Sequence, residues 1–270
     1  MTIHQKEDDL FERWCDHRIK FEGESVKDLF CPDGLHYIGN PNLESGNWLM
    51  KGDGREEQNW LESKFRILFL TKDYNAHDDG EGIDLRLETG LNNKYKNEKR
   101  LYYSFYGKYF MLFRSLIDLQ NQGILKFSRD GIENADYFWH YPVVRLNVKK
   151  IAGKSSCPNA TVKKYIDEDF EKIKEQLNIY DANILVCCNG SNWDPAASYS
   201  NPMMSMLNKI YPDLKKCGED GYLYYSEKKR VIVIHEWHMA AIVSYQHYFE
   251  RIKGIDNFIN ENPNFLTTRE

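Results

Sequence analysis

The chain lacks the short motifs that usually give an activity away. No G-x-G-x-x-G follows an apolar run, so the usual dinucleotide phosphate turn is missing. There is no G-x-x-x-x-G-K-[ST] phosphate loop and no G-x-S-x-G nucleophile turn. The six cysteines, Cys15, Cys31, Cys157, Cys187, Cys188 and Cys217, form no C-x-x-C and suggest no disulfide framework. No apolar run approaches the ~18 residues needed to span a bilayer. The charged first residues, 1–9, do not read as a signal peptide, and a reduced, cytoplasmic protein is expected. An excess of positive charge is also missing. With 36 basic and 41 acidic residues the net charge is −5, so binding to nucleic acid would need a local patch. His235, Glu236 and His238 spell H-E-x-H, one step short of a zinc motif. That spacing starts at a strand end and lacks the one-face helical geometry of H-E-x-x-H, so no metal is expected.

What is present is apolar. Hydrophobic residues make up 41% of the 270 and aromatics 14%, enough for a substantial core. Four apolar runs end in polar residues: 67–73 in Thr71, Lys72 and Asp73, 143–147 in Asn147, 184–189 in Asn189, and 231–235 in His235. Helical spacing separates them. It covers 101–122, a stripe of Ile166, Phe170, Ile173 and Leu177 behind a cap at Asn159, a short helix opened by Asn201 and Pro202, and 239–252. The alternation implies a three-layer α/β/α fold around a central, mostly parallel four-stranded sheet. Residues 222–226 and 230–234 flank a turn and give the last strand an antiparallel partner. One domain is expected over 1–270, with an N-terminal flank at 1–60 carrying a short helix near 8–20. The α/β core would occupy 61–250, and a C-terminal helix and tail 251–270.

Ligands of open parallel sheets bind at the carboxyl ends of the strands. A carboxylate, an amide and an imidazole at that edge suit cleavage of a base from a sugar. The carboxylate would position water, the amide would read a base edge, and the imidazole would meet charge leaving on the base. In this order and strand context the residues resemble the uracil-DNA glycosylase superfamily over roughly 60–245. Leu70, Thr71, Lys72, Asp73, Tyr74 and Asn75 stand where that family carries its first motif, with Thr71 and Tyr74 in place of a glycine and a proline. Leu146 and Asn147 match the strand ending in a base-reading asparagine. Residues 234–239 match the late histidine motif. Asp33, Gly34 and 147–153 fit the pattern of bacterial members.

The resemblance implies a fold of the uracil-DNA glycosylase type and a DNA-repair hydrolase that needs no cofactor. Asp73 and His235 would be catalytic, with Tyr74 and Asn147 at the base. Tyr74, Tyr102, Tyr103 and Phe105 are the aromatic candidates for stacking. Met239 falls at the apolar wedge. Between Val143 and Lys164 lie Arg145, Lys149, Lys150, Lys154, Lys163 and Lys164 and no acid. Lys149, Lys150, Lys154, Ser155 and Ser156 are therefore candidate DNA contacts, for a single-stranded or uracil-containing partner. Two other functions fit the same residues. One is a binding module for nucleic acid, nucleotide or protein without cleavage. The other is a cation-dependent hydrolase using Asp78, Asp79, Glu81, Asp84 and Glu88.

Overall fold

The computed structural model describes residues 1–74, 82–92, 94, 98–101, 103–153, 157–190, 201–218 and 221–266. Helix α1 (Ile3–Glu22) begins at a capping box in which Thr2 and Gln5 satisfy each other's backbone N–H groups. A 3-10 turn (Glu24–Leu29) leads to β1 (Gly34–Leu35), and β2 (Asn42–Glu44) and β3 (Asn47–Leu49) form a separate hairpin. Then come α2 (Glu56–Glu62), β4 (Ile67–Thr71), α3 (Tyr103–Gln122), α4 (Gly131–His140), β5 (Val144–Asn147), α5 (Asn159–Tyr180) and β6 (Ile184–Gly190). The chain closes with α6 (Pro202–Ile210), β7 (Lys215–Cys217), β8 (Leu223–Ser226), β9 (Val231–Trp237) and α7 (Tyr245–Glu261).

The main sheet has seven strands in the order β1-β5-β4-β6-β9-β8-β7. Its centre, β5-β4-β6-β9, is parallel; β1, β8 and β7 are antiparallel to their neighbours. The four-stranded sheet expected from the sequence is therefore corrected to a mixed seven-stranded sheet with a separate two-stranded one. Length explains the omission. β1 has two residues and β7 three, too few for any periodic signal, and β7 is a polar edge of Lys215, Lys216 and Cys217. Helix α4 was hidden by its loop-like approach, since Asp130 caps it ahead of a glycine. The expected antiparallel partner of β9 is present as β8.

The parallel strands are buried on both faces, and their alternation sorts the core into two halves. Ile67, Phe69, Val143, Ile184, Val186, Ile232 and Ile234 pack toward α3, α4 and α7. Leu68, Leu70, Val144, Leu146, Leu185, Cys187 and Val233 pack toward α1, α5 and α6. The chain runs from β4 to β5 through α3 and α4 on one face. It then returns past β4 to β6 through α5 on the other. The connection reverses between β4 and β6, and a reversal of this kind opens a crevice at the carboxyl ends of the strands.

One buried carboxylate fastens the N-terminal flank to this sheet. Asp33, just before β1, accepts the Asn147 backbone N–H at 2.7 Å, the Lys150 ammonium at 2.6 Å and the Gln176 amide at 2.9 Å. Lys150 also donates to the Asn147 carbonyl at 2.7 Å and lies over the Trp14 ring of α1. Gly34 follows at φ 149°, and a Cβ there would meet Glu7 Oε1 at 2.2 Å. Only glycine lets α1 approach so closely. Replacing Lys150 by Met should leave a buried, uncompensated carboxylate and cost ~3–5 kcal/mol. Urea unfolding at pH 7 checks this, and a loss below ~1 kcal/mol would refute the role assigned to the pair.

Candidate functional site

Asp73 lies two residues beyond β4, beside the crevice. The pairing of β4 with β5 continues past both strands through Val148 N–H to Thr71 O and Lys149 N–H to Lys72 O. The Asp73 carboxylate takes a long hydrogen bond from Lys149 Nζ, at 3.4 Å. Gly153 presses on it so closely that a Cβ there would lie 2.1 Å from Oδ2. Burial pushes the Asp73 carboxyl above its ordinary range, while Lys149, Cys157 and Lys72 pull it back. Lys72 reaches Asn159 Oδ1 at 3.3 Å, and burial lowers its ammonium.

Asn147 ends β5 in register with Thr71. It is wholly buried, and its Oδ1 accepts the Thr71 hydroxyl proton. Its Nδ2 has no hydrogen-bond partner among the described residues. A buried amide nitrogen without a partner is costly and calls for a partner such as a bound water or a ligand.

His235 does not join Asn147. Leu70, Cys187 and His235 are in register across β4, β6 and β9, so His235 projects toward the α5 and α6 face. Thr71 and Asn147 project toward the other face. Three strand spacings, roughly 14 Å, also separate β5 from β9. His235 is held where it is by the cap of α6. Asn201 accepts the Met203 and Met204 N–H groups and donates to His235 Nε2 at 3.2 Å. Burial, with Arg251 nearby, lowers the His235 imidazole to about 4.

The histidine on the Asn147 face is His238. Its ring centroid is 6.1 Å from that of Phe105, at the start of α3. Phe105 lies under the Arg145 guanidinium at 5.0 Å, and Arg145 shares Asn147's face two residues earlier on β5. Arg145 pairs with Glu88 at 2.7 Å and with Tyr106 Oη at 3.2 Å. Burial and three cations, Lys72, Arg145 and Lys108, lower His238 to about 4. It is a neutral imidazole in a cationic, aromatic setting. Glu236 faces the same side, and burial raises its carboxyl to about 8 against the pull of Arg251.

The other expected site residues are placed as follows. Tyr74 is half-buried and its carbonyl accepts the Gly153 N–H. Lys149 and Lys150 are both interior, at 8% and 1% exposure, so neither ammonium is a surface group. Lys154, Ser155 and Ser156 lie outside the described residues, as do Tyr102, Asp78, Asp79 and Glu81. Asp84 and Glu88 are paired with Arg86 and Arg145. Met239 is fully buried in the core; the exposed apolar residue of its segment is Ile242, at 99%. Among the described residues no cluster of His, Cys, Asp or Glu could hold a metal, and no helix is long and apolar enough to cross a membrane.

The sequence offered a signal for His238, since H-E-x-H marks an unusual strand end, but not for which histidine faces Asn147. Strand alternation placed Arg145 and Asn147 on one face, yet nothing local showed that Phe105 lies against Arg145.

The fold is an open α/β architecture, wound on both faces of a mixed sheet, with polar side chains at the carboxyl edge. No protein-family model, curated protein or solved structure matches the chain.

Histidines kept neutral in the fold give stability a definite pH dependence. Below its ordinary value of ~6.5 an unfolded His binds a proton that folded His235 refuses until about 4. Stability therefore falls as pH drops through that window. Between pH 7 and pH 5 the linkage for His235 alone is about 2 kcal/mol. Over the same window the raised Glu236 carboxyl acts in the opposite sense, so the comparison that isolates His235 is between proteins: in urea unfolding at the two pH values, His235→Gln should lose about 2 kcal/mol less than the native protein on going from pH 7 to pH 5.

Proposed function

We propose that the carboxyl edge of the sheet hydrolyses the N-glycosidic bond of a uracil-like or damaged base in DNA. The observation that carries the reading is the buried amide nitrogen of Asn147, which has no partner among the described residues, on the same face as Phe105 and the neutral His238. An imide edge offers a carbonyl acceptor to such a donor. Phe105 supplies an aromatic face for an unstacked base. His238 replaces His235 as the imidazole available to a leaving base. When the C–N bond breaks, its electron pair goes to the base. A neutral N–H donor and the nearby cations Lys72, Arg145 and Lys108 favour that charge. The sugar is left electron-poor, and water adds to it while passing a proton to Asp73. A carboxyl with a raised pKa suits that task. Ile242, bare on the segment after β9, fits the role of an apolar contact with the strand from which the base is drawn.

Non-catalytic binding on the same edge is favoured by one observation: Lys149 already occupies the Asp73 carboxylate.

Release of free uracil from a single-stranded uracil-containing oligonucleotide distinguishes the two readings. Asp73→Asn should slow release by ~10²-fold or more. In the native protein the rate should rise with pH as the Asp73 carboxyl ionises. If high protein concentration releases no base while the oligonucleotide still binds, the hydrolase reading is rejected. Phe105→Ala should weaken binding of the same oligonucleotide by roughly 5- to 150-fold, the worth of one base stacked on an aromatic ring.

A further inference from the structure

Thr71 sits where one hydroxyl decides how the amide of Asn147 faces. The two residues end neighbouring parallel strands in register, and both are buried. A hydroxyl at this position has two acceptors in reach. One is Asn147 Oδ1, in close contact; the other is the Leu146 carbonyl, at the long distance of 3.4 Å. Donation to the nearer oxygen fixes Oδ1 toward β4 and turns Nδ2 the other way, where it has no partner among the described residues. An asparagine amide is nearly symmetric in shape, so packing alone does not choose between its two orientations; hydrogen bonds do.

The geometry points to Thr71 as the positioning residue that selects the base. With Nδ2 on the side away from β4, Asn147 would donate to the carbonyl of a base brought against it, and the second lone pair of Oδ1 would accept a ring N–H. That matches the edge of an oxo base such as uracil. Turned over, the same amide would match an amino base such as cytosine, whose exocyclic NH2 donates and whose ring nitrogen accepts. Thr71 touches no substrate in this scheme. It acts through Asn147, and its effect is on discrimination more than on rate. The inference rests on the hydrolase reading for its consequence and on the Thr71–Asn147 contact for its cause.

Thr71→Val keeps the shape and removes the hydroxyl, whereas Thr71→Ser keeps the hydroxyl. Release from matched uracil- and cytosine-containing single-stranded oligonucleotides should show the uracil-to-cytosine ratio falling about tenfold or more in Thr71→Val. Thr71→Ser should retain the native ratio, a rescue that a merely structural role would not give. The side-chain amide resonances of Asn147, followed by NMR in the free proteins, supply a second readout that needs no catalysis. They should form one sharp pair in the native protein and in Thr71→Ser, and broaden or double in Thr71→Val. An unchanged ratio, or unchanged Asn147 resonances in folded Thr71→Val, overturns the inference. If the native protein releases neither base, the hydrolase reading fails, and the resonances alone then judge whether Thr71 orients the amide.

Discussion

The Asp33 carboxylate is the constraint on which the site depends. It is buried without exposure and holds three donors from three segments: the end of β5, the Lys150 ammonium behind it and Gln176 of α5. A charge in that setting is tolerated only when its oxygens are matched by donors. Burial lowers the Lys150 ammonium while Asp33 raises it, as expected of an ion held in place by its partner. The Asn147 backbone is thereby gripped on both sides, its N–H by Asp33 and its carbonyl by Lys150. The Asn147 amide is therefore mounted on a backbone held by hydrogen bonds on both sides. Glu7 extends the same arrangement to α1, accepting from the Leu35 N–H and from Arg86. A flank that reads as loops thus forms part of the support for a strand end more than a hundred residues later.

The core strands were legible because they are long, apolar and buried on both faces, and β4, β5, β6 and β9 lie close to the runs that announce them. β1 and β7 were not, because a two- or three-residue strand is made by its neighbour's hydrogen bonds and has no pattern of its own. The caps were partly legible: Asn201 followed by Pro202 opens α6 as its chemistry demands. The site was half legible. Residue type and strand context picked out Asp73 and Asn147, both now found at the carboxyl edge. Facing was lost, since it depends on register. A one-residue difference in strand parity puts His235 behind the sheet, where it serves the α6 cap, and leaves His238 to share the front with Asn147.

The basic run between Val143 and Lys164 shows how charge in a sequence can differ from charge on a surface. Arg145 is buried against Glu88 and Tyr106, Lys149 reaches Asp73 and the Ile151 carbonyl, and Lys150 is enclosed with Asp33. Lys163 is exposed but paired with Asp167. Among the described residues, Arg145, Lys149 and Lys150 are interior and so not placed to meet a phosphate backbone, whose binding strength scales with the number of exposed basic contacts. Two of them, Arg145 and Lys149, work instead at the carboxyl edge. Burial, helped by Arg145 with Lys72 and Lys108, keeps His238 neutral, and Lys149 steadies Asp73. Positive charge gathered around a neutral donor and an aromatic ring would favour an anion forming on a group bound there. On the function proposed above, the described residues would act on the base and the charge it acquires more than on the strand that carries it.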